Sequence, residues 1–216
     1  MDPTMKLIIA NRTYSSWSLR AWLAVKASEH PFEEHSILLR QPGTHTDILS
    51  WSPSGKLPCL VDNELAIWDS LAIAEYLAEE TPPMWPLDGA ARAIARSVSA
   101  EMHSGFHALR NQMPMNLRRH APLTAHTPEL DADIRRIEAL WTDCRNRFGD
   151  HDPFLFGSWS IADMMFAPVC FRFESYGVEL GHVAQDYLQN VLAHPHMLEW
   201  RAAAALETAI ITDYDV

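Results

Sequence analysis

Three serines surround a tryptophan at Ser15-Ser16-Trp17-Ser18, after the apolar run Leu7-Ile8-Ile9-Ala10 and before the helix-like Leu23-Ala24-Val25-Lys26-Ala27. One serine suffices to cap a helix, because its oxygen accepts from an unpaired N–H of the first turn. Three serines allow a second chemistry, in which hydroxyls and unpaired N–H groups at the positive end of a helix hold a small anion or a thiolate. In Trp51-Ser-Pro-Ser-Gly-Lys56-Leu57-Pro58-Cys59, Pro58 stands immediately before an apolar strand. A trans proline is permitted at a strand's first residue, and the segment alone favours that reading. A cis Leu57-Pro58 bond is the alternative, and would leave the Leu57 N–H and C=O facing outward to pair with an extended peptide. Asp69-Ser70 opens the next helical pattern. Capping and the helix dipole explain that pair, while the Ser70 hydroxyl and the N–H groups beside it also suit an α-carboxylate.

These residues need elements to position them. Lys6 to Ala10 reads as a short buried strand, Trp17 to Ser28 as a helix covered on most sides, and Phe32 to Leu39 as a second strand. Arg40 to Ser54 is polar, carries Pro42, Gly43 and Pro53, and reads as a long loop. Cys59-Leu60-Val61 and Leu65-Ala66-Ile67 flank a hairpin turn, and Asp69 to Glu79 follows as a helix. The order is βαβ then ββα. Thr81-Pro82-Pro83 and Trp85-Pro86-Leu87 break all periodicity, so residues 81–88 read as a linker between a 5–80 domain and an 89–216 domain. In the second domain Ala90–Arg119, Glu129–Phe148, Ile161–Tyr176, Ala184–Val191 and Pro195–Ala209 read as helices, with Pro114 kinking or ending the first.

Composition narrows the function. The 216 residues are 48% apolar, enough for a large core. Lys and Arg number 17 against 28 Asp and Glu, with no basic stripe, which disfavours nucleic-acid binding. Three cysteines without a C-x-x-C pair suit a reducing, cytoplasmic compartment. No apolar run approaches membrane-spanning length, and the N-terminus lacks a secretory pattern. Met5 directly before the first strand reads as a second start, leaving residues 1–4 outside the fold. His103 and His107 stand at i, i+4, a metal-capable spacing. With neither an H-E-x-x-H motif nor a nearby cysteine, no metal is expected.

Together, Ser15-Ser16-Trp17-Ser18-Leu19-Arg20, Ser52-Pro53-Ser54-Gly55-Lys56-Leu57-Pro58 and Trp68-Asp69-Ser70-Leu71-Ala72-Ile73 resemble the signature segments of the glutathione transferase superfamily, in particular its serine-type zeta class. Gly157-Ser-Trp-Ser160-Ile-Ala-Asp163 resembles the superfamily's buried capping box. The resemblance covers the chain from Met5 onward. It implies an α/β thioredoxin-like N-terminal domain that binds glutathione, followed by an all-α C-terminal domain with the electrophile pocket, in a homodimer acting as a transferase or isomerase on a small electrophile.

By matching position, the resemblance makes Ser15 the thiol-activating residue, with Ser16 as runner-up. It assigns Trp17, Lys56, Leu57, Pro58, Asp69, Ser70 and, through a looser alignment, Arg110 to glutathione, and Met113 and Arg172 to the substrate pocket. Two departures bear on substrate. Trp17 replaces a cysteine of the zeta signature, and Ser175 stands where the class carries an arginine for an acidic substrate, with Arg172 one turn earlier. The first puts maleylacetoacetate isomerase activity in doubt. Two rivals remain, a non-catalytic binding module on the same fold and a glutathione-dependent thiol-disulfide oxidoreductase, the latter disfavoured by serine in the nucleophile's place.

Overall fold

Strand β1 (Met5–Ile9) alternates, as a two-residue period requires. Leu7 and Ile9 join the main core, while Ile8 turns to a smaller cluster with Ile37, Ile48 and Cys59. The computed structural model describes residues 5–80, 83–123, 125–149 and 152–214. Residues 1–4 and the linker residues Thr81 and Pro82 lie outside that set.

Helix α1 (Ser16–Ala27) crosses from β1 to the parallel strand β2 (Phe32–Ser36), with Met5 opposite Phe32. Strands β3 (Cys59–Asp62) and β4 (Leu65–Trp68) form the hairpin, turning through Asn63 at φ 53°. β3 runs antiparallel to β1 with Leu7 opposite Leu60, and the sheet order is β2-β1-β3-β4. Helix α3 (Ser70–Glu80) follows and packs beside α1.

The expected long loop contains a six-residue helix, α2 (Thr44–Leu49), which covers the second face of the sheet through Ile48. Its single buried residue leaves no apolar periodicity to read. The expected helix over 90–119 is two helices, α4 (Gly89–Ser104) and α5 (His107–Gln112). The break falls at Gly105-Phe106, where Phe106 takes a left-handed φ of 59°, rather than at Pro114, which lies beyond the end of α5.

Helices α6 (Pro128–Phe148), α7 (Ile161–Tyr176), α8 (His182–Leu192) and α9 (Pro195–Ala205) complete the helical half. α9 stops four residues short of expectation. α7 is buried along nearly its whole length and packs on α1, α4 and α8. Its start is the expected capping box, with the Asp163 carboxylate accepting from the Ser160 N–H at 2.9 Å, the Ser160 hydroxyl at 2.9 Å and the Leu155 N–H at 3.1 Å. Pro168 stands inside α7 and lacks an N–H, which disturbs the preceding turn. Into that turn reaches Arg20 of α1, whose Nε donates to the Met165 carbonyl at 2.9 Å. A single core thus runs from β1 and α1 through α7 to Trp200 of α9. Among the described residues, no helix is long and apolar enough to cross a membrane.

Candidate active site

The end of β1 and the start of α1 are locked by hydroxyls. Ser15 is the N-cap of α1, its Oγ accepting from the Ser18 N–H at 3.2 Å and donating to the Ser18 Oγ at 2.8 Å. The Ser18 Oγ in turn accepts from the Ala10 N–H at 2.9 Å, tying the helix back to the strand. Ser16, one residue on, accepts from Arg172 Nη2 of α7 at 3.3 Å.

Two clefts meet at this corner. The first, about 450 Å³, is lined by Trp17, Ser54, Lys56, Leu57, Pro58, Trp68, Asp69 and Ser70. The Leu57-Pro58 peptide in its wall is cis, which corrects the trans reading favoured by the segment alone. At its far end Asp69 takes a left-handed φ of 76° and caps α3, its Oδ1 accepting from Leu71 N–H at 2.9 Å and Ala72 N–H at 3.3 Å. The Ser70 Oγ is buried and has no hydrogen-bond partner among the described residues. A buried hydroxyl without a partner is costly unless a ligand completes it.

The second cleft, about 390 Å³, is lined by Tyr14, Ser15, Ser16, Trp17, Lys56, Leu57, Arg110, Pro114, Arg172 and Tyr214, among others. Trp17, Lys56 and Leu57 belong to both clefts and form the wall between them. The second cleft is cationic. Arg172 is buried, with Nε donating to the Met113 carbonyl at 2.7 Å and Nη1 left without a partner. Burial, then the neighbouring Arg110 charge, pulls its pKa down to about 9. It still carries a proton at neutral pH. Burial likewise lowers Arg110, partly opposed by Asp133. Trp17 lies between two guanidiniums, Arg20 at 4.6 Å and Arg110 at 4.7 Å from its ring centre.

The sequence-derived residues divide as follows. Trp17, Lys56, Leu57, Pro58, Asp69 and Ser70 line the first cleft, and Ser15, Ser16 and Arg172 line the second. Arg110 falls in the second cleft, with Nε donating to the Gly105 carbonyl at 2.9 Å and a terminal nitrogen bonding the Met102 carbonyl at the end of α4. Met113 is fully buried and meets the site through its backbone carbonyl, since its side chain packs in the core. Among the described residues no group of three His, Cys, Asp or Glu is placed to hold a metal.

Sequence reasoning missed the segment after α9. Glu207 accepts from the Arg12 N–H at 2.6 Å, the Thr13 N–H at 2.9 Å and the Thr13 hydroxyl at 2.7 Å, fixing the turn that leads to the serines. Arg118 bonds the carbonyls of Glu207 and Ala209 and donates to the Tyr14 hydroxyl at 3.2 Å. Tyr214 then packs on Tyr14 at 5.3 Å between ring centres and walls the second cleft. The sequence expectation runs a helix through Ala209 and gives the residues beyond it no role.

A βαβ-ββα sheet domain with a cis proline beside the first helix, joined to a helical domain across a shared cleft, defines a two-domain protein of thioredoxin-like type. The model described as "Glutathione S-transferase, N-terminal domain" matches residues 14–80, and the one described as "Glutathione S-transferase, C-terminal domain" matches residues 127–203. The chain belongs to the glutathione S-transferase family. It is 26% identical to a probable maleylacetoacetate isomerase of Vibrio cholerae, over 94% of this chain and 97% of that protein. It is 31% identical to a zeta class glutathione S-transferase of Euphorbia esula, over 53% of this chain and 51% of that one. In fold it resembles a glutathione transferase homolog from Burkholderia solved with bound glutathione, with a TM-score of 0.71, 21% identity, and coverage of 94% of this chain and 98% of that chain.

Proposed function

We propose that the protein binds glutathione in the first cleft and presents its thiol, at the N-terminus of α1, to a small electrophile bearing a carboxylate in the second. The observation that carries this reading is the shared wall. Trp17, Lys56 and Leu57 line both clefts, so a ligand in one ends beside the serines and Arg172 of the other. In the first cleft the buried, unpartnered Ser70 hydroxyl suits a ligand carboxylate, and Asp69 suits an ammonium. Bound glutathione supplies the nucleophilic thiol.

The protein's task is to favour the anion. A thiol of ordinary pKa, about 8.5, is only a few per cent ionised at neutral pH. The unpaired N–H groups of the first turn of α1 and a serine hydroxyl lower that value. For Ser15 to donate to sulfur, its bond with Ser18 must reverse, with Ser18 donating to the Ser15 oxygen. Both are hydroxyls, so the exchange needs only two rotations. Arg172 and Arg110 stand where an acidic electrophile meets the serines, and Arg172 Nη1 has a donor to spare. Attack on such an electrophile gives a conjugate, and release after rotation about a loosened double bond gives an isomer.

A disulfide-exchange role is disfavoured by Ser15 in the nucleophile's place and by the burial of Cys59, Cys144 and Cys170. The working unit in this reading is a cytoplasmic homodimer, and a monomeric mass by light scattering at micromolar concentration would overturn the dimer. Calorimetric titration with glutathione, followed by a panel of electrophiles including a maleyl keto acid and an uncharged aryl halide, tests the reading. Micromolar to millimolar glutathione affinity and turnover of an acidic electrophile are expected. Absence of glutathione binding by the folded protein would overturn it.

A further inference from the structure

We propose that His103 is a positioning residue for the amino end of the tripeptide cleft, holding the Asp69 carboxylate in place when neutral and cancelling its charge when protonated. This inference rests on the proposed glutathione site and concerns a residue from the other domain. His103 lies near the end of α4, and its Nε2 is 3.1 Å from Asp69 Oδ2. The other Asp69 oxygen is occupied by the first turn of α3. The carboxylate is therefore gripped at both oxygens, one by its own helix and one by the helical domain, on a backbone in the left-handed region. The imidazole also stands edge-on to Trp17, 5.3 Å between ring centres, so it is braced against the wall between the clefts.

The protonation chemistry follows from the surroundings. The charged groups facing His103 are Asp69 at the head of α3, Arg20 of α1 and Arg110 of α5. Its Nδ1 is buried, with no hydrogen-bond partner among the described residues. A proton added there finds no acceptor. Burial lowers the His103 pKa below the usual imidazole value, with Arg20 and Arg110 lowering it further and Asp69 opposing. At neutral pH the ring is uncharged, Nε2–H donates to Asp69, and the carboxylate keeps its full negative charge for a ligand ammonium. On acidification His103 and Asp69 become an ion pair, and the ammonium loses its attraction.

The test compares glutathione with an analogue in which hydrogen replaces the γ-glutamyl amino group, both titrated calorimetrically from pH 7.5 down through the His103 titration followed by NMR. Relative to the analogue, glutathione should lose about a further five- to tenfold in affinity for the wild type, the size expected for cancelling one partly exposed charge about 4 Å away. The analogue shares the thiol and the glycine carboxylate, so ionisation of the bound thiol gives both ligands the same pH slope, and only the excess loss for glutathione reports the His103–Asp69 pair. His103→Gln keeps a donor without titrating, so it should bind glutathione within about threefold of wild type at pH 7.5 and show no slope in excess of the analogue's. An excess slope retained in His103→Gln, or a wild-type slope no steeper with glutathione than with the analogue, overturns the inference while leaving glutathione binding intact. Loss of all glutathione binding by folded wild type overturns both. If His103→Gln fails to fold, the wild type still decides, because linkage is reciprocal. Bound glutathione must then lower the His103 pKa read by NMR by the same factor, and an unchanged value overturns the inference.

Discussion

Ser15 and Ser18 face each other across 2.8 Å, one helical turn apart, each hydroxyl also serving a backbone N–H. The helix cap and the candidate thiol-activating group are therefore the same side chain. Ser15→Ala should cost about 1 kcal/mol of stability as a lost cap. It should also raise the pKa of the bound thiol and slow turnover about ten- to 150-fold, as for one lost hydrogen bond to a charged group. Ser16→Ala should do less to the thiol, and Ser18→Ala should cost more stability because it strands the buried Ala10 N–H. A pH titration of thiolate absorbance beside melting curves separates the three. If the thiol pKa moves only in Ser16→Ala, the assignment shifts by one residue.

Arg172 makes a second prediction. Arg172→Met removes a buried, incompletely paired cation, so stability should change by no more than about 1 kcal/mol despite two lost hydrogen bonds. Turnover of a carboxylate-bearing electrophile should fall about ten- to 150-fold while that of an uncharged aryl halide falls little. Equal losses for both would refute a role in carboxylate recognition.

Glu207 anchors the turn before the serines from the far end of the chain. Glu207→Gln should lower the melting temperature by an amount equivalent to about 2–3 kcal/mol, since one accepting oxygen becomes an amide NH2 that cannot accept and the other loses its charge. It should also raise the bound thiol pKa while leaving glutathione affinity within a few-fold. Unaltered melting and thiol titration would show that the turn holds itself.

Asp163 gives a pH signature of folding. Burial raises its pKa from 3.8 to about 6, against the pull of the Leu155 and Ser160 hydrogen bonds. Because the folded value is the higher one, the proton stabilises the fold, fully below about pH 4 and not above about pH 6. Asp163→Asn should be less stable than wild type at pH 7, with the gap widening by about 1 kcal/mol at pH 5. Melting curves of the pair at pH 5, 6 and 7 measure it, and a gap that narrows on acidification would contradict the assignment.

All three cysteines are buried, and burial pushes the Cys59 and Cys170 thiols up and Cys144 to about 12. None should react with a disulfide reagent in the native protein faster than the protein opens. A fast-labelling equivalent would revive the disulfide-exchange reading.

What the sequence made legible follows from how local each signal is. Helix α7 was readable to its bounds because Ser160 and Asp163 announce its start and the apolar residues from Met164 to Phe171 run without a break. The serine corner and Asp69-Ser70 were readable because capping and ligand chemistry ask for the same residue types. The break at Phe106 was not, since a left-handed phenylalanine carries no local mark. The cis bond at Leu57-Pro58 was not legible in its own segment either, where a proline at a strand's first residue reads as trans. His103 read as half of an empty metal pair because its partner, Asp69, lies 34 residues away on another domain.

The core that runs through both domains has a consequence for the chain's cooperativity. Leu19, Trp22 and Leu23 of α1 are buried in the same cluster as Phe166, Phe173 and Trp200 of the helical half. Neither half can be peeled away without exposing that seam to water, and the binding corner lies on the seam itself. Heating should therefore give one calorimetric transition with equal van't Hoff and calorimetric enthalpies, the mark of a single melting unit. Residues 5–80 expressed alone should behave as a molten, dye-binding chain that has lost its near-ultraviolet dichroism.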